Sequence, residues 1–398
     1  MKLALVTAFP PSKVTLNEYG YHLAKNFARK EEIEELILIT DETVEEKQLD
    51  FDSGNTKITV KECWKFNSYK NIYSIYRSIR ESQADAVLFN LQFMKFGDKK
   101  IPAALGLFLP LLLRLKGIPN IVLLHNILEQ VDLGNAGFTD NKFLKRIFNS
   151  IGTLLTRVIL KADTVALTIG KYVEIIQEKY SASNIIQIPH GSFETPAEPD
   201  FNLPAGPKKI MTFGKFGTYK RVEILIEAVI KLRKTTSEEV EIVIAGTDSP
   251  NTPGYLAEMR EKYKNVKGLH FTGYVQEEDV PKIFGESTVV VFPYTSTTGS
   301  SGVLHQAGSY GKAVVMPSLG DLALLVEEEG YTGEFFKPGN VDSLAHSLGK
   351  IIKDDLYRRR IGEVNYKAAC SLPMEKVTQL YLEEFKNITN SKLNLRYT

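Results

Sequence analysis

The densest run of candidate chemistry in this chain is residues 211–228, MTFGKFGTYKRVEILIEA. A β-like stretch ends at Gly214 and a short glycine-containing loop follows. A helical period then begins, with Val222, Leu225, Ile226 and Val229 on one face. Lys215, Lys220 and Arg221 lie on the loop or at the helix start. Cations are favoured at helix C-termini, so three of them at an N-terminus repel it unless an anion joins them. A phosphate would satisfy the ammonium groups and the free amides together. Taken alone, the loop also reads as a solvated basic turn.

A second small-residue loop, Thr295 to Gly302 (TSTTGSSG), follows the apolar run Val289-Val290-Val291-Phe292 and precedes a helix at 303–310. Glycines let backbone amides approach a ligand, and Ser or Thr caps a helix while offering a hydroxyl. Amides at such a start form an anion pocket, although an ordinary capped Ser/Gly loop looks the same by itself. Two phosphate-competent loops in one half of the chain point to a diphosphate.

The elements that must position these loops alternate along the chain. Strands are expected at 3–9, 36–40, 86–90, 121–125, 164–168 and 185–189, and again at 210–213, 240–245, 269–271, 288–292 and 313–316. Helices are expected at 16–29, 69–81, 102–116, 142–161 and 171–180, then at 221–234, 253–264, 277–284, 302–310, 341–352, 356–369 and 374–386, with 387–398 fraying. This is an α/β pattern of two Rossmann-like, doubly wound domains. The expected organisation is a first, acceptor-side domain at 1–195, a proline-rich linker at 196–209 and a second domain at 210–370. A terminal helix and tail at 371–398 would pack back on the first domain. Two such domains create a cleft at the carboxyl ends of their strands, where open α/β sheets bind ligands. His125, at the end of a buried strand, falls on that edge, and a capping role satisfied by the backbone is its alternative.

Composition narrows the class. The 398 residues carry 49 Lys and Arg against 48 Asp and Glu, a net charge of +1, which argues against a general nucleic-acid binder. Cys63 and Cys370 form no CxxC motif and no disulfide framework, which suits a reducing cytoplasm. The first ten residues read as a strand rather than a signal peptide, and the apolar run 101–113 is shorter than the roughly 20 residues a spanning helix needs. Residues 142–161 hold five basic and no acidic residues beside Phe143, Leu144, Ile147 and Phe148. They read as a helix packed on the sheet with a solvated basic face, or as one lying on anionic lipid.

Several motifs in order carry a resemblance. Gly214, Lys215 and Lys220 resemble the Gly-Arg-x-x-x-x-Lys signature of the retaining GT-B glycosyltransferases of family 4 (group 1), with lysine for arginine. His270-Phe271-Thr272-Gly273-Tyr274-Val275 before Glu277-Glu278-Asp279 is similar to that family's Val-x-Phe-x-Gly strand and acidic helix start. Ala307 to Val315 resembles Ala-x-x-x-Gly-Lys-Pro-Val-Val, and Thr332 to Asn340 resembles Thr-Gly-x-x-x-x-Pro-Gly-Asp. The likeness covers residues 160–370 well and the first domain loosely.

The resemblance implies a metal-independent retaining hexosyltransferase in polysaccharide or glycoconjugate synthesis. Its donor would be a UDP- or GDP-sugar, and its acceptor a saccharide or lipid-linked saccharide. It implies no cofactor and no metal, while the charge balance speaks against nucleic acid and the cysteine usage for a cytoplasmic location with at most a peripheral contact at the inner membrane face. His125, Lys215 and Lys220 become the catalytic candidates. Gly214, Val275, Thr298, Ser300, Ser301, Gly302, Val303 and Gln306 become the donor contacts. The family places two glutamates where this chain has Thr298 and Gln306. Gln306 keeps an acceptor for a ribose diol but no charge. Where the family has a Gly-Gly pair, this chain has Leu16 and Asn17, and Asn17 with Glu18 becomes the acceptor-side candidate.

Loop 126–140, with Glu129, Asp132, Gly134 and Gly137, is a second acceptor-side candidate. Asp50-Phe51-Asp52 mimics the DxD metal motif of a different glycosyltransferase fold and reads as chance. His190 reads as structural or peripheral; His22, His270, His305 and His346 lack metal-ligand spacing and read as structural. The lost glutamates leave two alternatives: a GT-B sugar-nucleotide epimerase, or a non-catalytic nucleotide-sugar-binding subunit. No GxGxxG follows the first strand, which disfavours a nicotinamide dehydrogenase.

Overall fold

A computed structural model describes the protein at all residues except 48, 128–141, 194–196, 204, 250, 297–299 and 398, with backbone alone at 142–149, 277, 321 and 393–397. The chain divides into two compact units, Met1–His190 with Met374–Thr398, and Gly191–Pro373.

In the first unit seven strands form one parallel sheet: β1 (Lys2–Val6), β2 (Glu35–Asp41), β3 (Lys57–Trp64), β4 (Ala86–Leu91), β5 (Asn120–Leu124), β6 (Thr164–Leu167) and β7 (Ile185–Gln187). Their order is β3-β2-β1-β4-β5-β6-β7. Every residue of β4 and β5 is buried, as a strand covered on both faces requires. The connecting helices are α1 (Asn17–Phe27), α2 (Asn71–Glu81), α3 (Lys100–Gly106), α4 (Leu109–Leu115), α5 (Lys142–Ile159) and α6 (Gly170–Tyr180). The single helix expected at 102–116 is two, because Pro110 stands in the first turn of α4, where a ring without an N–H is tolerated.

The second unit repeats the plan with β8 (Lys208–Phe216), β9 (Val240–Asp248), β10 (Leu269–Gly273), β11 (Val289–Val291), β12 (Ala313–Pro317) and β13 (Glu334–Phe336). The sheet is parallel, in the order β10-β9-β8-β11-β12-β13. Its helices are α7 (Val222–Leu232), α8 (Tyr255–Lys262), α9 (Val280–Glu286), α10 (Gly302–Ser309), α11 (Gly320–Glu329), α12 (Val341–Lys353) and α13 (Asp355–Ser371). Residues 197–203 and 205–207, from the proline-rich stretch, fall within this unit. Phe201 is buried against Tyr366, with ring centroids 6.2 Å apart, and its carbonyl accepts from the buried Arg358 guanidinium. Lys208 and Lys209 already pair with Val240 and Glu241 in the sheet.

The last helix, α14 (Met374–Tyr397), belongs to the first unit. Tyr381 packs 6.3 Å from Phe27, and Glu384 accepts from Thr164 Oγ1 at 2.6 Å. The expected fraying beyond 386 does not occur up to Tyr397. Lys386 bonds Glu32 at 3.3 Å, and Lys392 bonds Asp163 at 2.7 Å.

Strand order reverses between β1 and β4, and again between β8 and β11. Loops leave such a switch point in opposite directions and open a crevice at the carboxyl edge. The two phosphate-competent loops follow β8 and β11.

Candidate functional site

The strand carrying the first lysine is longer than expected. β8 runs to Phe216 because β9 is equally long, and Lys215 pairs with Thr247 and Phe216 with Asp248. Lys215 is therefore on the strand end, exposed, between half-buried Gly214 and buried Phe216. Gly214 and its register partner Gly246 both have positive φ, 131° and 138°. A Cβ on Gly246 would lie 1.9 Å from the Gly214 carbonyl oxygen, so this closure of two strand ends requires glycine.

Lys220 folds back over that end. Its Nζ lies 2.7 Å from where a Gly214 Cβ would stand, and 4.8 Å from the Tyr294 ring centroid. Among the described residues no carboxylate pairs with Lys215 or Lys220. Arg221 differs: its Nε donates to Glu223 Oε1 at 2.6 Å. The free amide expected at the α7 start is likewise occupied, since Val222 N donates to Tyr255 Oη at 2.9 Å. Two cations, not three, remain for an anion, and α7 does not add its first amide.

The helix start that does remain open is α10. Ser301 is its N-cap residue without a side-chain cap, and the Gly302 and Val303 amides make no hydrogen bond among the described residues. Tyr294, which sequence reasoning passed over, joins the two loops. It bridges to Lys220, its ring underlies the ammonium, and its hydroxyl lies near the Ser301 side chain. Thr295 N to Tyr219 O at 2.9 Å and Arg221 N to Pro293 O at 2.9 Å complete the seam. Gln306 is half-buried one turn along α10, and Ser300 is half-buried just before it. Val275 follows the edge strand β10, with β9 between it and the lysines. Thr298 lies outside the described residues.

Buried His305 anchors α10 from behind. One ring nitrogen, Nδ1, meets Ser301 O at 2.9 Å, and Nε2 meets Glu329 Oε2 at 2.6 Å. Burial alone would lower its pKa, but the Glu329 charge and hydrogen bond and the Ser301 carbonyl outweigh burial and raise it. The pair thus stabilises the fold fully below the unfolded value near 6.5, and that contribution is lost as pH rises through the raised folded value. Glu329→Gln is expected to cost about 3 kcal/mol near pH 6 and distinctly less in alkaline buffer, read by urea unfolding at both.

In the first unit the polar groups gather where β1, β4 and β5 end. His125 follows β5 and is 9% exposed; its backbone N–H donates to Leu91 O at 3.1 Å. Its ring meets Asn90 Oδ1 through Nε2 at 2.7 Å and stands edge-on to Tyr19 at 4.6 Å. Burial, with a smaller contribution from the nearby Lys95 charge, pushes its pKa down to about 3, so the ring is neutral. His190, read above as structural or peripheral, is buried in the same cluster, 4.6 Å from Tyr19, whose hydroxyl donates to its carbonyl at 2.8 Å.

Leu16 adopts φ 65°, the left-handed conformation that glycine takes without strain, and caps α1. Asn17 donates to Ser12 O at 2.8 Å, closing the loop, and Glu18 is exposed in the first turn of α1. Glu129, Asp132, Gly134 and Gly137 lie outside the described residues. Asp50 accepts from Tyr21 Oη at 2.9 Å and Asp52 closes its own turn through Gly54 N at 3.0 Å, so the DxD look-alike serves local structure. Among the described residues no three His, Cys, Asp or Glu side chains form a metal-sized cluster. A surface groove lined by Arg233, Glu239, Glu241 and Lys267 lies at the opposite, amino edge of the second sheet.

Comparison with known proteins decides the second unit, since residues 194–368 match the family model for glycosyl transferases group 1. These residues form a glycosyl transferases group 1 domain. An uncharacterized glycosyltransferase of Methanocaldococcus jannaschii is 27% identical over 156 residues, 39% of this chain and 38% of that one. The chain therefore spans well under two thirds of that curated relative. Both units share their fold with sucrose-phosphate synthase from Thermosynechococcus elongatus. That match has a TM-score of 0.73 and 14% identity, and covers 98% of this chain and 100% of the other. Anabaena HepE in complex with UDP-glucose matches with a TM-score of 0.68 and 14% identity, over 97% of this chain and 100% of that one. At such identities the likeness speaks for the fold, which is GT-B.

Proposed function

We propose that the protein is a metal-independent retaining glycosyltransferase of family 4. It moves a hexose from a UDP- or GDP-sugar to a saccharide or lipid-linked saccharide acceptor, in polysaccharide or glycoconjugate synthesis. The observation that carries this reading is the seam in the group 1 domain: Lys215 and Lys220, without carboxylate partners among the described residues, joined through Tyr294 to the open start of α10. The UDP-glucose held by the HepE neighbour supports the donor class.

As the anomeric bond breaks, the sugar gains oxocarbenium character and negative charge grows on the departing diphosphate. Fixed ammonium groups and helix-start amides stabilise that charge without reorganising. The leaving phosphate serves as base for the acceptor hydroxyl, so no enzyme nucleophile is required. Gln306 holds the ribose diol as a neutral partner. Asn17 and Glu18 line the acceptor side.

No helix among the described residues is long and apolar enough to cross a membrane. A cytoplasmic protein with peripheral membrane contact is our reading. Exposed Ile151 and Leu154 on α5, beside exposed Arg157, support that contact.

The test is a panel of nucleoside diphosphates and their sugars. A true donor raises the melting temperature by mass action and gives transfer to an added saccharide with the anomeric configuration kept, in EDTA as well as without it. Binding without transfer to any acceptor class would favour the non-catalytic subunit, and an epimerised donor the epimerase.

A further inference from the structure

Asn90 sits at the end of β4, fully buried, and each of its polar atoms is accounted for. Its amide nitrogen donates to Thr7 Oγ1 at 2.9 Å and to Leu16 O at 3.2 Å. Leu16 O is a carbonyl and only accepts, so the opposite amide orientation would set two oxygens against each other. Oδ1 must therefore face His125, and at 2.7 Å it can only accept from Nε2–H. The same amide holds Leu16, whose left-handed backbone ends the loop after β1.

We infer that Asn90 is a positioning residue for the reaction: it holds His125 in the Nε2–H form, presents Nδ1 as the open nitrogen, and ties the ring to the loop at Leu16. Among the described residues Nδ1 makes no hydrogen bond. The inference rests on the reading of His125 as a catalytic candidate in the proposed transfer.

The charged and titratable groups around the ring are consistent with a neutral imidazole. Lys95, after β4, donates to Thr15 O at 2.8 Å and is itself near Asp41; Tyr19 on α1 and His190 after β7 pack against the ring. No carboxylate among the described residues touches it.

The test uses full-length protein labelled with ¹⁵N-histidine and long-range ¹H–¹⁵N spectra, with the His125 signals assigned by their loss in His125→Gln. The wild-type ring is expected as the Nε2–H neutral form, with no titration between about pH 8 and about pH 5. In Asn90→Asp a carboxylate faces the ring and favours the cation. The ring should then titrate within that range, and kcat should gain an acid limb, falling severalfold between about pH 8 and about pH 5 where the wild type stays flat. Asn90→Leu should mix the tautomers and lower kcat by about 10²-fold, with the donor KM changed far less. A wild-type Nδ1–H signal, a wild-type titration near 6.5, or an Asn90→Asp profile like the wild type would overturn the inference. The wild-type spectra need no substrate and no altered Asn90, so they decide the tautomer even if a variant fails to fold or the protein transfers nothing.

Discussion

Lys220→Ala is expected to lower kcat/KM for the nucleotide sugar by about 10²–10³-fold, the range seen when one preorganised donor to a developing oxyanion is removed. The size follows from where the ammonium sits. It lies over glycine and a buried tyrosine ring on a half-buried side chain, and among the described residues no carboxylate neutralises it. Its field therefore reaches an anion at that spot less screened than that of a fully exposed lysine. The loss should appear in nucleoside diphosphate affinity as well as in turnover. Stability should change little, because Lys220 is half-exposed and the backbone bridge to Tyr294 remains. Lys215→Ala should cost less, since that side chain is exposed and more screened. Unchanged kinetics in Lys220→Ala, measured against a thermally intact protein, would remove Lys220 from the site.

His125→Ala is expected to lower kcat by about 10²-fold while nucleoside diphosphate affinity stays within about twofold. The histidine belongs to the unit that does not carry the lysines, and its proposed part is in turnover rather than in gripping the diphosphate. Because its pKa is about 3, the wild-type pH profile should show no limb near 6.5 from this ring. Truncation also leaves Asn90 Oδ1 without its donor, at a cost of about 1–3 kcal/mol, so a melting curve must accompany the kinetics. Equal losses of affinity and turnover would place His125 among general structural residues instead.

Sequence reasoning reached the sheets where burial is two-sided. Ile121-Val122-Leu123-Leu124 is apolar because helices cover both faces, and β5 lies inside the sheet. It missed β3, an edge strand whose Lys57, Lys61 and Glu62 interrupt the apolar pattern. Short β13 and helix α11, with its weak amphipathic period, were missed for the same kind of reason. The places of the lysine and Ser/Gly loops were legible because each interrupts an apolar strand run and precedes a helical period. The pairing of Arg221 with Glu223, the Tyr255 hydroxyl on Val222 and the Tyr294 joint were not. Each depends on contacts that local periodicity does not encode. The Asn90–His125 bond spans 35 residues, and only strand order brings its two ends together.

The most direct measurement is a crystal structure with a bound UDP- or GDP-sugar. The account predicts a diphosphate oxygen within hydrogen-bonding reach of Lys220 Nζ, and the Gly302 and Val303 amides on the same group. A diphosphate lodged elsewhere, with both ammonium groups turned away from it, would contradict the account.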